Sequence, residues 1–366
     1  MAKHKQVDLA ALTAPDAIVQ LAQAAPFSGM ESLALAGRQA MAKHVSKLYA
    51  HLPGVLNGDD PHDIHQMRVA TRRLRASLTS TAPAYRAELV EKLYQRLRRL
   101  ARALGDVRDR DVLLMRLQRT ADDQRDTDQS ELRAVIERVQ AERNDAHAAL
   151  LDELQRRRTQ RLLRDLNAFL TDPLDEVQAK DHGLPLLVHH HAGSVIWRHY
   201  EAVRRFETVM PHASSERLHE LRIACKHLRY TLELFEPALG EDARPLIKQV
   251  EAMQEHLGDI HDADVALSYF GDADEPAAEP PRPTTQAEQD IMPDFGASGQ
   301  NGDTDSSGAS THIYEMPAQD QVNGIETYLE TRRTERQTLL SDVEPLWRQL
   351  SGDSSRRKLA KLLAAI

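Results

Sequence analysis

The stretch HQMRVATRRLRASL, residues 65–78, decides the fold that we predict for this chain. On an α-helix, at about 100° per residue, its apolar side chains and Thr71 fall on one side, with Ile64 at the edge. The basic side chains fall on an adjacent arc about 80° wide; they are His65, Arg68, Arg72 and Arg75. A basic row beside a face that must be buried lies where a helix meets its neighbours, so it can line a groove or channel.

A second stretch, HELRIACKHLRYTLELF at residues 219–235, repeats this arrangement 154 residues later. Its apolar side carries Leu221, Cys225, Leu228 and Leu232, and its basic arc carries His219, Arg222, Lys226 and Arg229. A further motif, LGDVRDRDV at 104–112, recurs as LGDIHDADV at 257–265, at an offset of 153. Two motifs that recur at nearly one spacing indicate an internal duplication. We therefore expect two similar helical bundles related by a pseudo-twofold axis.

The composition favours an all-α protein. The chain has 366 residues, is rich in Ala, Leu, Arg, Glu and Gln, contains 4% aromatic residues and has few alternating stretches. Its single cysteine, Cys225, excludes an intrachain disulfide and indicates a reducing compartment. There is no apolar run of about 18 residues, and the N-terminus is a poor signal peptide. We therefore expect a cytoplasmic protein.

The net charge of −9 is unevenly distributed. Residues 271–310 hold nine acidic residues and one Arg, a net charge of −8. Residues 61–102 hold nine Arg and one Lys against three acidic residues, a net charge of +7. The local field of the basic helices therefore favours an anionic ligand in spite of the acidic total.

The pattern predicts an N-terminal extension at 1–28, a first repeat at 29–175 and a second repeat at 184–366. Residues 271–310, rich in Pro, Ser, Gly and Asp, are expected to form a disordered acidic insert within the second repeat. Asp60 and Pro61 are a typical start for the first basic helix. Gly105 is expected to end the next helix, with Asp106 or Asp109 capping another. The predicted helices cover about 16–24, 29–52, 61–83, 85–104, 109–120, 130–170, 184–209, 215–237 and 244–257, and helix resumes near 316.

These motifs resemble those of the CHAD domain, the conserved histidine α-helical domain. The basic stretches, each followed by LGDxxDxDV, carry the resemblance, which spans roughly residues 30–366 apart from the insert. It implies two four-helix bundles in one compact domain with a basic central pore, and binding of inorganic polyphosphate. By position, the eight residues of the two rows would line the pore. The insert departs from the family pattern and could compete for the pore or gate it. No ExExK strand of the fused triphosphate-hydrolysing domain is present, so a stand-alone, non-catalytic domain without cofactor is expected.

Six further basic residues are weaker candidates for the same ligand. His44 and Arg198 correspond at an offset of 154 and are expected at equivalent pore positions on the first helix of each half. The other four are Lys43, Lys47, Arg96 and Arg99, for which a solvated role is as plausible.

Polyphosphate suits these rows because it carries about one charge per phosphate along a flexible chain. Arginine can hold two phosphate oxygens at once, and side chains three or four residues apart on a helix lie about 5–6 Å from each other. No aromatic ladder accompanies the row, which argues against single-stranded nucleic acid as the preferred partner. We expect His65 and His219 to donate to phosphate, more strongly when protonated. Targeting to polyphosphate granules is one role consistent with such binding, and no membrane partner is expected.

Other interpretations stay open. An arginine-rich helix face is usually solvated, and Arg73 and His227 lie off the basic arc. The aspartates of the repeated motif could hold a metal, but capping and pairing with arginine are favoured; they are Asp106, Asp109, Asp111, Asp259, Asp262 and Asp264. The run His189–His191 predicts no specific metal site, and Cys225 is expected in the core. Alternative functions are an enzyme or accessory domain acting on phosphate polymers, a histidine-based metal module and a nucleic-acid binder.

Overall fold

A computed structural model describes residues 13–123, 129–172, 185–210, 213–269 and 323–366. Within these ranges the protein is built from α-helices and short 3₁₀ turns, and the all-α prediction is confirmed. The predicted insert at 271–310 and the first twelve residues lie outside the described residues. The helices are α1 Asp16–Ala22, α2 Leu33–Asn57, α3 Pro61–Ser80, α4 Ala87–Asp123, α5 Gln129–Gln155, α6 Arg157–Thr171, α7 Val188–Arg204, α8 Ser215–Leu239, α9 Arg244–Tyr269, α10 Asn323–Ser351 and α11 Asp353–Leu363.

The chain repeats one packing order twice. In the first half α2 packs on α3, α3 on α4 and α4 on α5, while α6 packs against α2, α4 and α5. In the second half α7 packs on α8, α8 on α9 and α9 on α10, while α11 covers part of α9 and α10. The two basic stretches therefore occupy the second helix of each half, between the first and third helices.

Equivalent helices of the two halves contact each other: α2 with α7, α3 with α8 and α5 with α10. Before α2 and α7 the chain forms an antiparallel bridge between Ser32 and Leu187. Its hydrogen bonds are reciprocal, because the Leu33 amide donates to the Leu186 carbonyl at 2.7 Å and the Val188 amide donates to the Glu31 carbonyl at 2.9 Å. This bridge joins the segments that lead into the first helix of each half.

Apolar side chains form two clusters that hold the halves together. The larger contains residues of both halves, including every apolar residue that the sequence placed on the buried side of the basic stretches. The smaller lies where the ends of α4 and α9 meet the beginnings of α5 and α10, and its fully buried members include Leu117, Val139 and Tyr328. Burial of such side chains is the main favourable contribution to folding, at about 1.5–3 kcal/mol each.

Local signals at the start of α3 are confirmed. The Asp60 carboxylate accepts a hydrogen bond from the amide of His62 at 2.8 Å, and Pro61 occupies the first helical position. The preceding helix ends at Gly58, whose φ of 79° favours glycine. A Cβ at Gly54 would overlap the Asp63 carboxylate, so this glycine permits the close approach of α2 and α3. Asp63 also lies 2.7 Å from Nδ1 of His51 on α2.

The predicted break at Gly105 is wrong. Helix α4 is continuous through Gly105, and α9 likewise continues through Gly258 rather than ending at Leu257. A glycine inside a helix costs only about 1 kcal/mol, which packing on both sides offsets. Asp106 and Asp109 therefore lie inside α4 and cap no helix. The other boundary errors are smaller: α2 runs through Pro53 to Asn57, and the predicted 130–170 helix is divided at Arg156.

Candidate functional site

The first basic row lies half-buried on α3 and is surrounded by other cations. Burial, together with the positive charges of Arg108, Arg72 and Arg68, lowers the pKa of His65 to about 4. The row is therefore joined by Arg108 of α4, the charged neighbour with the largest effect on His65. His65 is neutral near pH 7 in this state, so it can donate one hydrogen bond to an anion before any protonation.

The second row on α8 has an equivalent neighbour on α9. The Nδ1 atoms of His219 and His261 lie 3.3 Å apart, with ring centroids 4.7 Å apart. His261 occupies the place in the second half that Arg108 occupies in the first. Arg222 is half-buried and lies beside Gly258 of α9, whereas Lys226 is only 5% exposed. The repeated basic stretch and the repeated LGDxxDxDV motif thus lie side by side in both halves.

The last residue of each row is directed toward the third helix of its own half. Arg75 is buried and donates to the hydroxyl of Tyr94 at 2.9 Å, with its guanidinium over the same ring. Arg229 forms ion pairs with Glu233 at 2.8 Å and with Glu251. Both guanidinium groups therefore have partners within the protein.

The two halves meet beside the rows through Arg72 of the first row and through residues outside the rows. The guanidinium groups of Arg72 and Arg73 lie over the ring of Tyr230 at 5.4 and 5.8 Å. Arg73 also forms an ion pair with Glu233 at 3.0 Å. Arg73, which lies off the basic arc, is thus placed at the crossing of α3 and α8. A second contact joins Arg116 of α4 to Asp262 of α9 at 2.8 Å.

The contacts of Arg73 and Arg116 with the other half can be located along α3 and α4 relative to the first basic row. His65 is eight residues before Arg73, about 12 Å along the axis of α3, and Arg108 precedes Arg116 by the same number of residues on α4. Along α3 and α4, His65 and Arg108 are therefore each about 12 Å from the residue of the same helix that contacts the other half.

Aspartates of the LGDxxDxDV motifs form ion pairs that hold neighbouring helices together. Asp111 forms a buried ion pair with Arg143 of α5 at 3.0 Å, and Arg143 also donates to the Gly58 carbonyl at 2.7 Å. In the second half Asp264 pairs with Arg336 of α10, which donates to Ser215 at the start of α8. Each pair fixes the fourth helix against the third and against the segment that begins the basic helix. The predicted pairing of these aspartates with arginine is confirmed for Asp111, Asp262 and Asp264.

Asp106 interacts electrostatically with Arg68 of the first basic row. Burial raises the pKa of its carboxyl group, although Arg110, Arg102 and Arg68 act in the opposite direction. Burial also raises the pKa of Asp259, its counterpart, with Asp262 adding to the effect. Within the described ranges no three His, Cys, Asp or Glu side chains are grouped so that they could hold a metal ion.

The six weaker candidates differ in their burial and in the partners of their side chains. His44 is half-buried, and burial followed by the charges of Arg73, Lys47 and Lys43 lowers its pKa to about 3. Lys43, Lys47, Arg99 and Arg198 are exposed. Arg96 is directed away from the rows and pairs with Asp165 of α6 at 2.5 Å.

The expected correspondence of His44 with Arg198 is wrong by one residue. The first helices, like the bridge before them, are related by an offset of 155, so the counterpart of His44 is His199. His199 stacks on His227 at 5.8 Å, as His44 lies beside Arg73. The helix starts at residues 33 and 188 give the offset of 155. The sequence motifs alone did not locate these two starts.

The histidine run and the cysteine have structural roles. Nδ1 of His189 lies 3.0 Å from the Gly29 carbonyl oxygen, and Nε2 of His191 lies 2.9 Å from the Ser80 carbonyl oxygen. Cys225 is fully buried, and burial raises the pKa of its thiol.

A known protein family matches more than half of this chain. The model of the CHAD domain matches residues 39–270. The chain belongs to the CHAD domain family. Among solved structures, the CHAD domain from the plant Ricinus communis aligns with a TM-score of 0.56 at 22% identity, covering 93% of this chain and 95% of that one. PptA from Streptomyces chartreusis aligns with a TM-score of 0.57 at 12% identity, covering 87% and 100%. At these identities the likeness shows the CHAD fold.

An uncharacterised protein of Mycobacterium tuberculosis is 29% identical to this chain over 215 residues. The match covers 58% of this chain and 40% of that protein, so this chain spans less than half of its relative's length. No helix in the described ranges is both long enough and apolar enough to cross a membrane.

Proposed function

We propose that this CHAD protein binds inorganic polyphosphate, without catalysis, through the basic rows of α3 and α8. One observation carries the proposal: the charged groups that act most strongly on two half-buried histidines of the first half, His44 and His65, are cations of α2, α3 and α4. Like charges held together in a partly buried place lower stability without a ligand, and such perturbed groups are typical of functional sites. A polyanion removes this repulsion.

The polymer is favoured over a single phosphate because the cations form rows. His65, Arg68 and Arg72 follow one face of α3, and His219, Arg222 and Lys226 follow the equivalent face of α8. Side chains one helical turn apart are spaced by about 5–6 Å, so the cations of one row can contact different phosphates of one extended chain. The resemblance of the motifs to those of CHAD domains implies the same ligand. Targeting to polyphosphate granules is the cellular role that this binding would serve.

The test is a titration of the full chain with long-chain polyphosphate at several salt concentrations. Binding should weaken steeply with salt, because each neutralised phosphate releases counterions. Double-stranded DNA, single-stranded RNA and divalent metal ions serve as competitors, and a chelator is included in parallel. Tight, salt-sensitive binding that nucleic acid and chelator leave unchanged supports the proposal. Binding that requires a metal, or equal affinity for nucleic acid, would instead favour the metal module or the nucleic-acid binder, and turnover of the polymer would favour an enzyme.

The matched variants are Arg72→Gln with Lys226→Gln against Arg161→Gln with Lys358→Gln. Glutamine is preferred to glutamate at Lys226, because this side chain is 5% exposed and a reversed charge would endanger folding. Arg161 and Lys358 are exposed on α6 and α11, and their replacement changes the net charge by the same amount. The double variant Arg72→Gln with Lys226→Gln should lower the affinity for polyphosphate. It should also lower the slope of log affinity against log salt concentration, by about 0.7 for each phosphate that the protein no longer neutralises. Equal affinities for the two double variants, with helicity preserved, would remove the rows from the site.

A further inference from the structure

The two halves of the site differ in the group that lies beside each row histidine. In the first half His65 has Arg108 of α4 as its strongest charged neighbour. In the second half the equivalent His219 has His261 of α9, at an Nδ1–Nδ1 distance of 3.3 Å. Arg108 and His261 occupy the same position of the repeated motif, LGDVRDRDV and LGDIHDADV. A guanidinium that is always charged is thus replaced by an imidazole that can gain or lose its charge.

The same replacement occurs at a second, independent place. His44 on α2 lies beside Arg73 of α3 in the first half. Its counterpart His199 on α7 stacks on His227 of α8, with the ring planes 13° apart and the centroids 5.8 Å apart. Here too the first half has a histidine with an arginine, and the second half has two histidines.

Other charged groups lie near the second-half histidines on the helices packed against them. Around His219 and His261, α8 contributes Arg222, and the carboxylates of α9 are paired, Asp262 with Arg116 of α4 and Asp264 with Arg336 of α10. The third carboxylate, Asp259, is partly buried with a raised pKa. Around His199 and His227, α7 contributes Arg198 and α8 contributes Tyr230, while Arg73 of α3 is paired with Glu233.

We propose that the second half of the polyanion site takes up protons when the ligand binds, with the pairs His219–His261 and His199–His227 supplying charge that the first half holds permanently in Arg108 and Arg73. The inference rests on the proposed function. An anion next to an imidazole stabilises its protonated form, and His219 and His261, whose Nδ1 atoms lie 3.3 Å apart, can also share one bound proton as an N–H···N hydrogen bond. Two fixed arginines next to the first-half histidines oppose such protonation.

The state without ligand supports this assignment. Burial, and then the charge of Arg198, lowers the pKa of His199 to about 4, so this ring is neutral near pH 7. The bound polymer would raise that pKa. By linkage, a group whose pKa rises on binding makes affinity increase as the pH falls, by up to about tenfold per pH unit for each proton taken up.

The experiment measures polyphosphate affinity between about pH 6 and about pH 8 at constant ionic strength, with proton uptake counted by calorimetry in two buffers of different ionisation enthalpy. Long-chain polymer is used because its internal phosphates keep their charge over this range. Wild type should bind more tightly as the pH falls and should take up protons. His227→Arg and His261→Gln should each reduce both effects.

The reciprocal variant provides the matched control. Arg108→His gives the first half the residue of the second half, and it should add to the pH dependence while weakening binding near pH 8. His261 is 5% exposed, so glutamine, which keeps a hydrogen-bonding side chain, is safer there than arginine. If polyphosphate binds to wild type with the same affinity and no proton uptake across the range, this inference is wrong and the proposed function stands. Absence of polyphosphate binding at every pH would overturn the proposed function itself.

Discussion

The histidines of the basic site link stability to pH in the ligand-free protein. The folded-state pKa values of His44 and His65, about 3 and about 4, lie below the ordinary value of 6.5. The unfolded chain therefore binds more protons between these values, so the stabilisation is complete above about pH 6.5 and is lost as the pH falls toward 4. We expect the urea midpoint to fall between about pH 7.5 and about pH 5, and to fall less in His65→Gln. An equal fall in both proteins would contradict the assignment to His65.

The buried pair Asp111–Arg143 tests the structural role of the motif aspartates at the same scale. Their side chains are 2% and 10% exposed, so Asp111→Ala leaves the guanidinium buried without its carboxylate. The expected cost is about 3–5 kcal/mol of unfolding free energy. Glu344→Ala is the control, because its partner Arg348 is 74% exposed and such a pair contributes less than about 1 kcal/mol. Denaturant unfolding measures both, and similar decreases in the two variants would contradict the assigned role of Asp111.

At the scale of the helices, the apolar stripe and the start of α3 were predictable because both depend on neighbouring residues. Met67, Leu74 and Leu78 fall on the buried side by periodicity alone, and Asp60 caps its own helix. The continuity of α4 and the positions of Arg108 and Arg73 were not predictable in the same way. They depend on which helix packs against which, and a single sequence carries that information only through the repeat. The offset of 153 between the LGDxxDxDV motifs made Arg108 the sequence equivalent of His261. It did not show that Arg108 lies near His65.

The uninterrupted α9 yields a prediction at Gly258. A Cβ there would meet the nearest atom, Nε of Arg222, at 3.7 Å, an ordinary van der Waals distance. Alanine costs less backbone entropy than glycine in a helix, so Gly258→Ala should raise the unfolding free energy by roughly 0.5–1 kcal/mol. Polyphosphate affinity should be unchanged. A decrease in stability, measured by denaturant unfolding, would mean that the helix is distorted at this position and needs the glycine.

At the scale of the whole molecule, one apolar cluster contains residues of both halves, and the helices α3 and α8 that carry the basic rows contact each other. The protein should therefore unfold in one transition, and a polyanion that contacts both rows should stabilise both halves together. At a ligand concentration of 100 times Kd the added stability is about 2.7 kcal/mol, seen as a higher unfolding temperature by calorimetry. Added salt should remove this stabilisation.

Neutralising a row cation in Arg68→Gln should reduce the stabilisation by polyphosphate. The same variant should raise the unfolding temperature of the ligand-free protein, because it relieves repulsion from Arg72 and Arg108. Two separate transitions, with polyphosphate shifting only one, would show that the ligand contacts a single half and that the two rows do not form one site.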